Sequence, residues 1–338
     1  MRKTPKKNRK ILFVVGGRDT TCSFYRAGGI SKSLRQISGY DIQVRGWAET
    51  QLGWQGIYDY DIVMIHGAYT KDMLTFAAHV KSCGIPLWVD YDDDYLGVTG
   101  ENRAFPVFEN PAVKEQVKEF YKLADVISVT NEHLKSQISE YNDNIWVIPN
   151  AFNDSIFDVN RKLPKGNKVV FWRGSDTHIY DLAERAVQIN KLTKDNPDWA
   201  FTYMGYNPWF LQKQENVAFV PALDVIDYFH SVSTLAPMIA QVPLHDTSFN
   251  RSKSNIAFIE GCYFGAVCLI PEWWGKIPGT ISYTDSDSYE RGLQSMLSGE
   301  LDLKKMNKLG WDYIKKNHLL SKVNKLRFDL MKSLLNER

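Results

Sequence analysis

Four cysteines in 338 residues, none of them in a C-x-x-C pair, leave little room for cysteine chemistry. Cys22, Cys83, Cys262 and Cys268 are scattered and lie in or beside apolar segments, which excludes a spacing-defined zinc cluster or disulfide framework and reads as reduced thiols in the cytoplasm. Long apolar runs are also missing. No stretch approaches the roughly 18 residues a membrane-spanning helix needs, so the chain reads as soluble. The basic start is followed by Ile11–Val15, too short for a signal-peptide core, which runs straight into Gly16 and Gly17 and reads as a first buried strand. A G-x-G-x-x-G fingerprint is absent from the turn after that strand, which argues against a dinucleotide-binding oxidoreductase.

What is present is an alternation of short apolar runs and helix-like segments, repeated in two halves. Such alternation is expected of parallel sheets covered by helices. The first half offers strands near Ile11–Val15, Asp41–Trp47, Asp61–Gly67, Pro86–Asp92, Val126–Thr130 and Ile145–Asn150, with helices at Gly28–Ser38, Thr70–Ser82, Pro111–Leu123 and Asn131–Tyr141. The second half offers Lys168–Gly174, Trp199–Gly205, Val217–Pro221, Ser233–Ile239, Ala266–Pro271 and Thr280–Thr284, with helices at Ile179–Asn196, Asp224–Ser231 and Ser254–Phe264. The expected fold class is α/β, with two doubly wound Rossmann-like domains: 1–150, a linker at 151–167 rich in Asn, Asp, Pro and Gly, and 168–318. A terminal helix at 319–338, with Val323, Leu326, Leu330 and Leu334 at helical spacing, is expected to cross back to the first domain.

Charge is concentrated at the ends. Residues 1–10 carry six Lys or Arg and no acid, and residues 301–338 carry ten against four acids, although the whole chain has a net charge of only +2. Such runs are either solvated faces or contacts to nucleic acid or an anionic membrane surface.

The segment richest in chemistry is Ala236–Pro271, which reads as strand, polar loop, helix, glycine turn and strand. Its loop delivers Ser252, Lys253, Ser254 and Asn255 to a helix N-terminus, where free N–H groups and the helix dipole suit a diphosphate. Glu260 follows about a turn and a half later, where a carboxylate could accept both hydroxyls of a ribose. The plainer alternatives make Ser254 an N-cap and Glu260 a solvated helix residue. This segment resembles retaining GT-B glycosyltransferases, whose C-terminal domain carries E-x7-E before a small-residue turn and a strand. Glu260 in N-I-A-F-I-E-G-C-Y-F-G matches the second glutamate, which in that family holds the ribose. Ser252 stands where the first, a donor-sugar contact, would be.

A second resemblance to the same family lies in Val169–Leu182, which is similar to its first strand and glycine loop and implies that Arg173, Gly174 and Ser175 reach the donor diphosphate. His178 and Asp181 sit three apart near a helix start, either at the same cleft or as surface and dipole-complementing residues. The resemblance also implies that the turn after the first strand, with Gly16, Gly17 and Arg26, comes up to the acceptor and the donor phosphate; a surface position at the helix start is the alternative for Arg26. His66 falls at the carboxyl end of a strand, where open α/β sheets bind ligands or where a core edge lies. DYDDDY, with Asp90, Asp92, Asp93 and Asp94, either holds Mg²⁺ or Mn²⁺, caps its loop, or supplies a base such as Asp92 for the acceptor hydroxyl. Asn150, in V-I-P-N-A, resembles the family's interdomain hinge.

The joint expectation is a metal-independent glycosyltransferase, hexosyl or pentosyl, with catalytic Asp92 and His66 and no cofactor, and the resemblance implies that it is retaining. A nucleotide-sugar such as a UDP-sugar is its donor. Its acceptor is a glycan, a lipid-linked glycan or modified DNA. Modified DNA implies a bacteriophage-type DNA-base enzyme acting in host cytoplasm, with Trp47, Trp54, Trp209, Trp273 and Trp274 as stacking candidates. A non-catalytic GT-B-like nucleotide- or glycan-binding module and a sugar-nucleotide epimerase are the competing classes.

Overall fold

A strand covered on both faces needs apolar residues at every position rather than at alternate ones. That is how the central strands are built, apart from His66, Asp90 and Ser128, which bond to one another. In the computed structural model, which describes residues 9–17, 20–162 and 165–337, β3 (Ile62–His66), β4 (Leu87–Tyr91) and β5 (Val126–Val129) are buried throughout. With β1 (Lys10–Val15), β2 (Asp41–Gly46) and β6 (Ile145–Val147) they form a parallel sheet of order β2-β1-β3-β4-β5-β6. A second parallel sheet holds β7 (Asn167–Gly174), β8 (Ala200–Gly205), β9 (Val217–Pro221), β10 (Pro237–Gln241), β11 (Val267–Pro271) and β12 (Thr280–Tyr283), in the order β12-β11-β10-β7-β8-β9. Strand order reverses between β1 and β3 in the first sheet and between β7 and β10 in the second. Crevices at the carboxyl ends of such reversals are where doubly wound sheets bind ligands.

Local departures from the expected elements have local causes. The strand expected at Ser233–Ile239 is β10, because the Val225–Leu235 helix continues through Ser233 and ends on Ala236 in a left-handed conformation, φ 50°. The helix expected over Ile179–Asn196 is two helices, Ile179–Ala183 and Ala186–Asp195. The helix expected to start at Ser254 starts at Ile256, after a short helix Ser248–Arg251 that apolar periodicity does not reveal. The basic segment 1–8 lies outside the described residues.

The terminal helix, Leu320–Leu334, packs on Gly28–Ser38 of the first half. Leu320, Val323, Leu330 and Met331 join Ile11, Phe13, Ile30, Leu34 and Trp88 in one buried cluster. The apolar stripe expected there is rotated. Leu326 is 39% exposed, while Arg327 is buried, because the packed face is centred on Leu320, Arg327 and Leu330 and Leu326 is a step of about 100° before Arg327. The chain returns beside the linker: Phe152 N–H donates to His318 O and Leu320 N–H donates to Phe152 O, both at 2.8 Å.

One polar cluster closes the core of the first sheet. Asp90, near the end of β4, accepts from Arg26 Nε at 2.9 Å and Nη2 at 2.5 Å, from the Ser128 hydroxyl, and lies 2.9 Å from His66 Nδ1. Arg26 Nη1 donates to Ile148 O at 2.7 Å and to Asn150 Oδ1 at 3.1 Å. Arg26 is therefore not a surface anion contact. It ends the Thr21–Arg26 helix, is 1% exposed, and turns inward because a carboxylate buried in β4 needs a cation. Burial alone would raise the Asp90 pKa. The Arg26 charge and the hydrogen bonds from Arg26 and His66 outweigh it and hold the carboxyl well below the usual range.

Two expectations follow. Asp90→Asn should cost about 3–5 kcal/mol at neutral pH, since it leaves a buried cation without its counter-charge. Because the folded carboxyl lies below the unfolded value of about 3.9, that difference should be fully present above pH ~5 and shrink as pH falls; urea titrations at several pH values measure it. Leu330→Ala should cost about 2–4 kcal/mol and Leu326→Ala under about 1 kcal/mol, by the same titration.

Candidate functional site

The carboxyl ends of the two sheets face each other across a cleft of about 700 Å³, within the range of small-molecule sites. β7 delivers Arg173 and Gly174 to its floor, and β8 ends beside them. Gly205 has φ +97° and a side chain there would meet Gly174 O at 2.4 Å, so glycine is what lets the two strand ends converge. Ser175 and His178 follow along the same wall.

Arg173 is held by Glu260, which takes its Nε at 2.9 Å and lies 2.8 Å from Nη2. Tyr25, from the first domain, donates to the other Glu260 oxygen at 2.5 Å, and Tyr228 donates to the first at 3.0 Å. Glu260 is thus neither a solvated helix residue nor a carboxylate with both oxygens open to a ribose. The Ile256–Phe264 helix is buried from Phe258 to Phe264, and a glutamate inside it has to be paired. Burial and the Glu260 charge push the Tyr25 phenol well up, so it stays a donor. Burial would lower Arg173, but Glu260 outweighs that and raises it.

Lys253 reaches Asp93 of the first domain at 3.1 Å and lies over the Phe249 ring at 4.4 Å. Its burial favours the neutral amine, the Asp93 charge and hydrogen bond outweigh this, and it remains an ammonium. Ser254 is not the helix cap: its hydroxyl accepts from Asn150 Nδ2 at 2.9 Å, and Asn255 occupies the cap position without a side-chain capping bond. Ser254, Ile256 and Ala257 line the cleft; Asn255 does not.

Asp181 is buried behind the wall. Its oxygens accept from His245 N at 2.9 Å and Asn250 Nδ2 at 2.7 Å, and lie 2.8 Å from His178 Nδ1, so Asp181 orients His178 rather than lining the cleft. Gly16 and Gly17 do not line it either; Thr20, Thr21, Cys22 and Tyr25 do. The run Asp90–Asp94 diverges. Asp92 lines the cleft with Oδ1 3.9 Å from His66 Nε2, Asp93 meets Lys253, and Asp94 accepts from the Leu96 and Gly97 amides. Among the described residues no three His, Cys, Asp or Glu side chains converge as a metal site. Burial would lower the His66 pKa; the charge of Asp92 and the bond to Asp90 outweigh it and raise it. Of the tryptophans singled out above, Trp274 lines the cleft, Trp209 is 73% exposed, and Trp47 and Trp54 pack against Phe76.

No family model and no curated protein matches the sequence. Solved structures match over nearly its whole length. The apo form of the lipopolysaccharide outer core galactosyltransferase WaaB has a TM-score of 0.59 at 12% identity, covering 96% of this chain and 99% of that one. The S. aureus MnaA–UDP structure gives 0.56 at 13% identity, with 97% of each chain covered. A UDP-GlcNAc 2-epimerase from Neisseria meningitidis, bound to UDP-GlcNAc, gives 0.53 at 12%, covering 97% and 100%. At such identity the likeness is one of fold: two parallel α/β domains facing each other across a cleft, the GT-B arrangement.

Proposed function

We propose that the protein is a glycosyltransferase that binds a nucleotide-sugar against its second domain and passes the sugar to an acceptor hydroxyl presented by the first. One observation above all supports this: Arg173 and Lys253, both cationic, reach one cleft at the strand-order reversal of the second sheet, beside the start of the Ile256–Phe264 helix. Those groups suit a diphosphate and would stabilise the charge that grows on it as the bond to the sugar breaks, with no metal required. Phosphate oxygens would join the carboxylates that already hold Arg173 and Lys253. The likeness of the fold to proteins solved with UDP and UDP-GlcNAc points to the same donor class.

On the acceptor side, Asp92 Oδ1 and His66 Nε2 lie 3.9 Å apart, and Asp90 holds the far side of the imidazole. A carboxylate and an imidazole so placed can act together on an acceptor hydroxyl, Asp92 as its base and His66 balancing the charge beside it. Glu260 is assigned to holding Arg173 in place. The resemblance to E-x7-E enzymes implies retention, which NMR of the first-formed anomer reads. An epimerase is a second reading, favoured by the cleft-lining imidazole of His178 and its buried Asp181; a change of sugar stereochemistry with no acceptor present would establish it.

UDP should bind with unchanged affinity in EDTA. Lys253→Ala should weaken it about 10- to 100-fold, as loss of a charge-assisted hydrogen bond predicts, and equal calorimetric titrations of both proteins would remove the diphosphate site. Transfer, followed as mass gain on small sugars, lipid-linked glycans and hydroxymethylated duplex DNA, identifies the acceptor. Asp92→Asn should lower turnover about 10²- to 10⁴-fold without changing UDP affinity. With neutral His66 as the form that balances the charge beside Asp92, and its pKa raised, the rate should climb with pH through a limb above about 6.5.

A further inference from the structure

The loop that carries Lys253 is shaped by the opposite domain. Asn131 caps the Glu132–Ile138 helix, its Oδ1 accepting from Leu134 N–H at 2.8 Å. Its amide nitrogen faces the other way, across the domain boundary. There Nδ2 donates to Ser252 O at 2.8 Å, to Lys253 O at 3.1 Å and to Arg251 O at 3.3 Å. Thr130, beside it at the end of β5, donates to Ser252 O at 3.3 Å. The Ser248, Phe249 and Asn250 carbonyls accept from the backbone amides of Ser252 and Lys253, and the chain then turns away before the next helix begins at Ile256. To the three carbonyls that follow, those of Arg251, Ser252 and Lys253, Asn131 supplies a donor from another domain.

We propose that Asn131 is a positioning residue for the donor site: by gathering three successive carbonyls it fixes the backbone of residues 251–253, so that Lys253 projects into the cleft. The inference rests on the diphosphate reading given above. It adds that the site is complete only when the two domains are together, because Asn131 leaves with the first domain as the cleft opens. The donor then sees an ordered Lys253 loop in the closed form and a loosened one in the open form, and donor affinity becomes linked to closure.

The side chain's two ends separate the two roles. Asn131→Asp and Asn131→Ser both keep an oxygen for the Leu134 amide, and Asp and Ser are as good helix caps as Asn. Neither can donate to all three carbonyls, and aspartate places a carboxylate against them. Each variant should keep the ligand-free thermal midpoint within about 2 °C of wild type. Amide hydrogen exchange at residues 252–255 should quicken, and the Kd for UDP should rise about tenfold, the effect of losing one shared hydrogen bond. Unchanged exchange would overturn the clamp. Faster exchange with unchanged UDP affinity would overturn its role in donor binding, and a UDP loss matched by a collapse of the thermal midpoint in both variants would reduce Asn131 to a structural tie between the domains. A wild-type protein that does not bind UDP would instead overturn the diphosphate reading, and the exchange measurement, made without nucleotide, tells the two failures apart.

Discussion

A carboxylate buried at the carboxyl end of a central strand obliges everything around it to respond, and Asp90 is that carboxylate. It draws Arg26 inward from the end of the first helix, fixes the His66 ring, and holds Ser128, which itself accepts from the Trp88 indole at 2.7 Å. Through Arg26 it also reaches Asn150, and through Asn150 the hydroxyl of Ser254 in the other domain. A single desolvated charge thus links β3, β4, β5 and the interdomain crossing to the start of the helix that borders the cleft. Hydrophobic packing alone would leave those elements free to slide. Directional bonds to a charged atom do not.

The second domain treats its charges in the opposite way. Arg173 and Lys253 are kept ionised by Glu260 and Asp93, yet both remain on the cleft wall. Two cations brought together without counter-ions would repel each other and lose hydration. Lending each a carboxylate allows the site to exist before any ligand arrives. Because Asp93 and Tyr25 belong to the first domain, part of that electrostatic support crosses the cleft.

The sheets are legible in the sequence because a parallel strand covered on both faces writes itself as a mostly apolar run; edge strands such as β2 and β9 are less buried but still carry enough apolar residues, and all twelve strands are found with shifts of a few residues. The helix between β7 and β8 was read as one because periodicity does not register a break such as that between Ala183 and Ala186. Cleft residues were partly legible. Arg173 at the end of β7, and Lys253 and Ser254 in the loop that precedes the Ile256–Phe264 helix, sit where a strand's carboxyl edge is expected, and Glu260 follows within that helix. Tyr25 and Arg26 show where that reasoning stops. They are adjacent in one short helix, and composition cannot say which faces the cleft and which the core; the buried partner that decides it, Asp90, is 64 residues away. Tyr228 and Asn131 carry no local signal, since their roles exist only once distant segments meet.

The chain passes between its two domains twice, and the passages run side by side, joined where Phe152 bonds to His318 and Leu320. A single connecting strand behaves like a string, and the bodies it joins can swing and twist about it. Two strands bonded abreast behave like a strap. Bending across its width stays easy, while rotation about its length has to shear the bonds between Phe152 and its partners. Any relative motion of the halves would therefore be channelled toward one degree of freedom, and residues from opposite sides of the cleft, such as Tyr25 and Glu260, would be brought back to the same register.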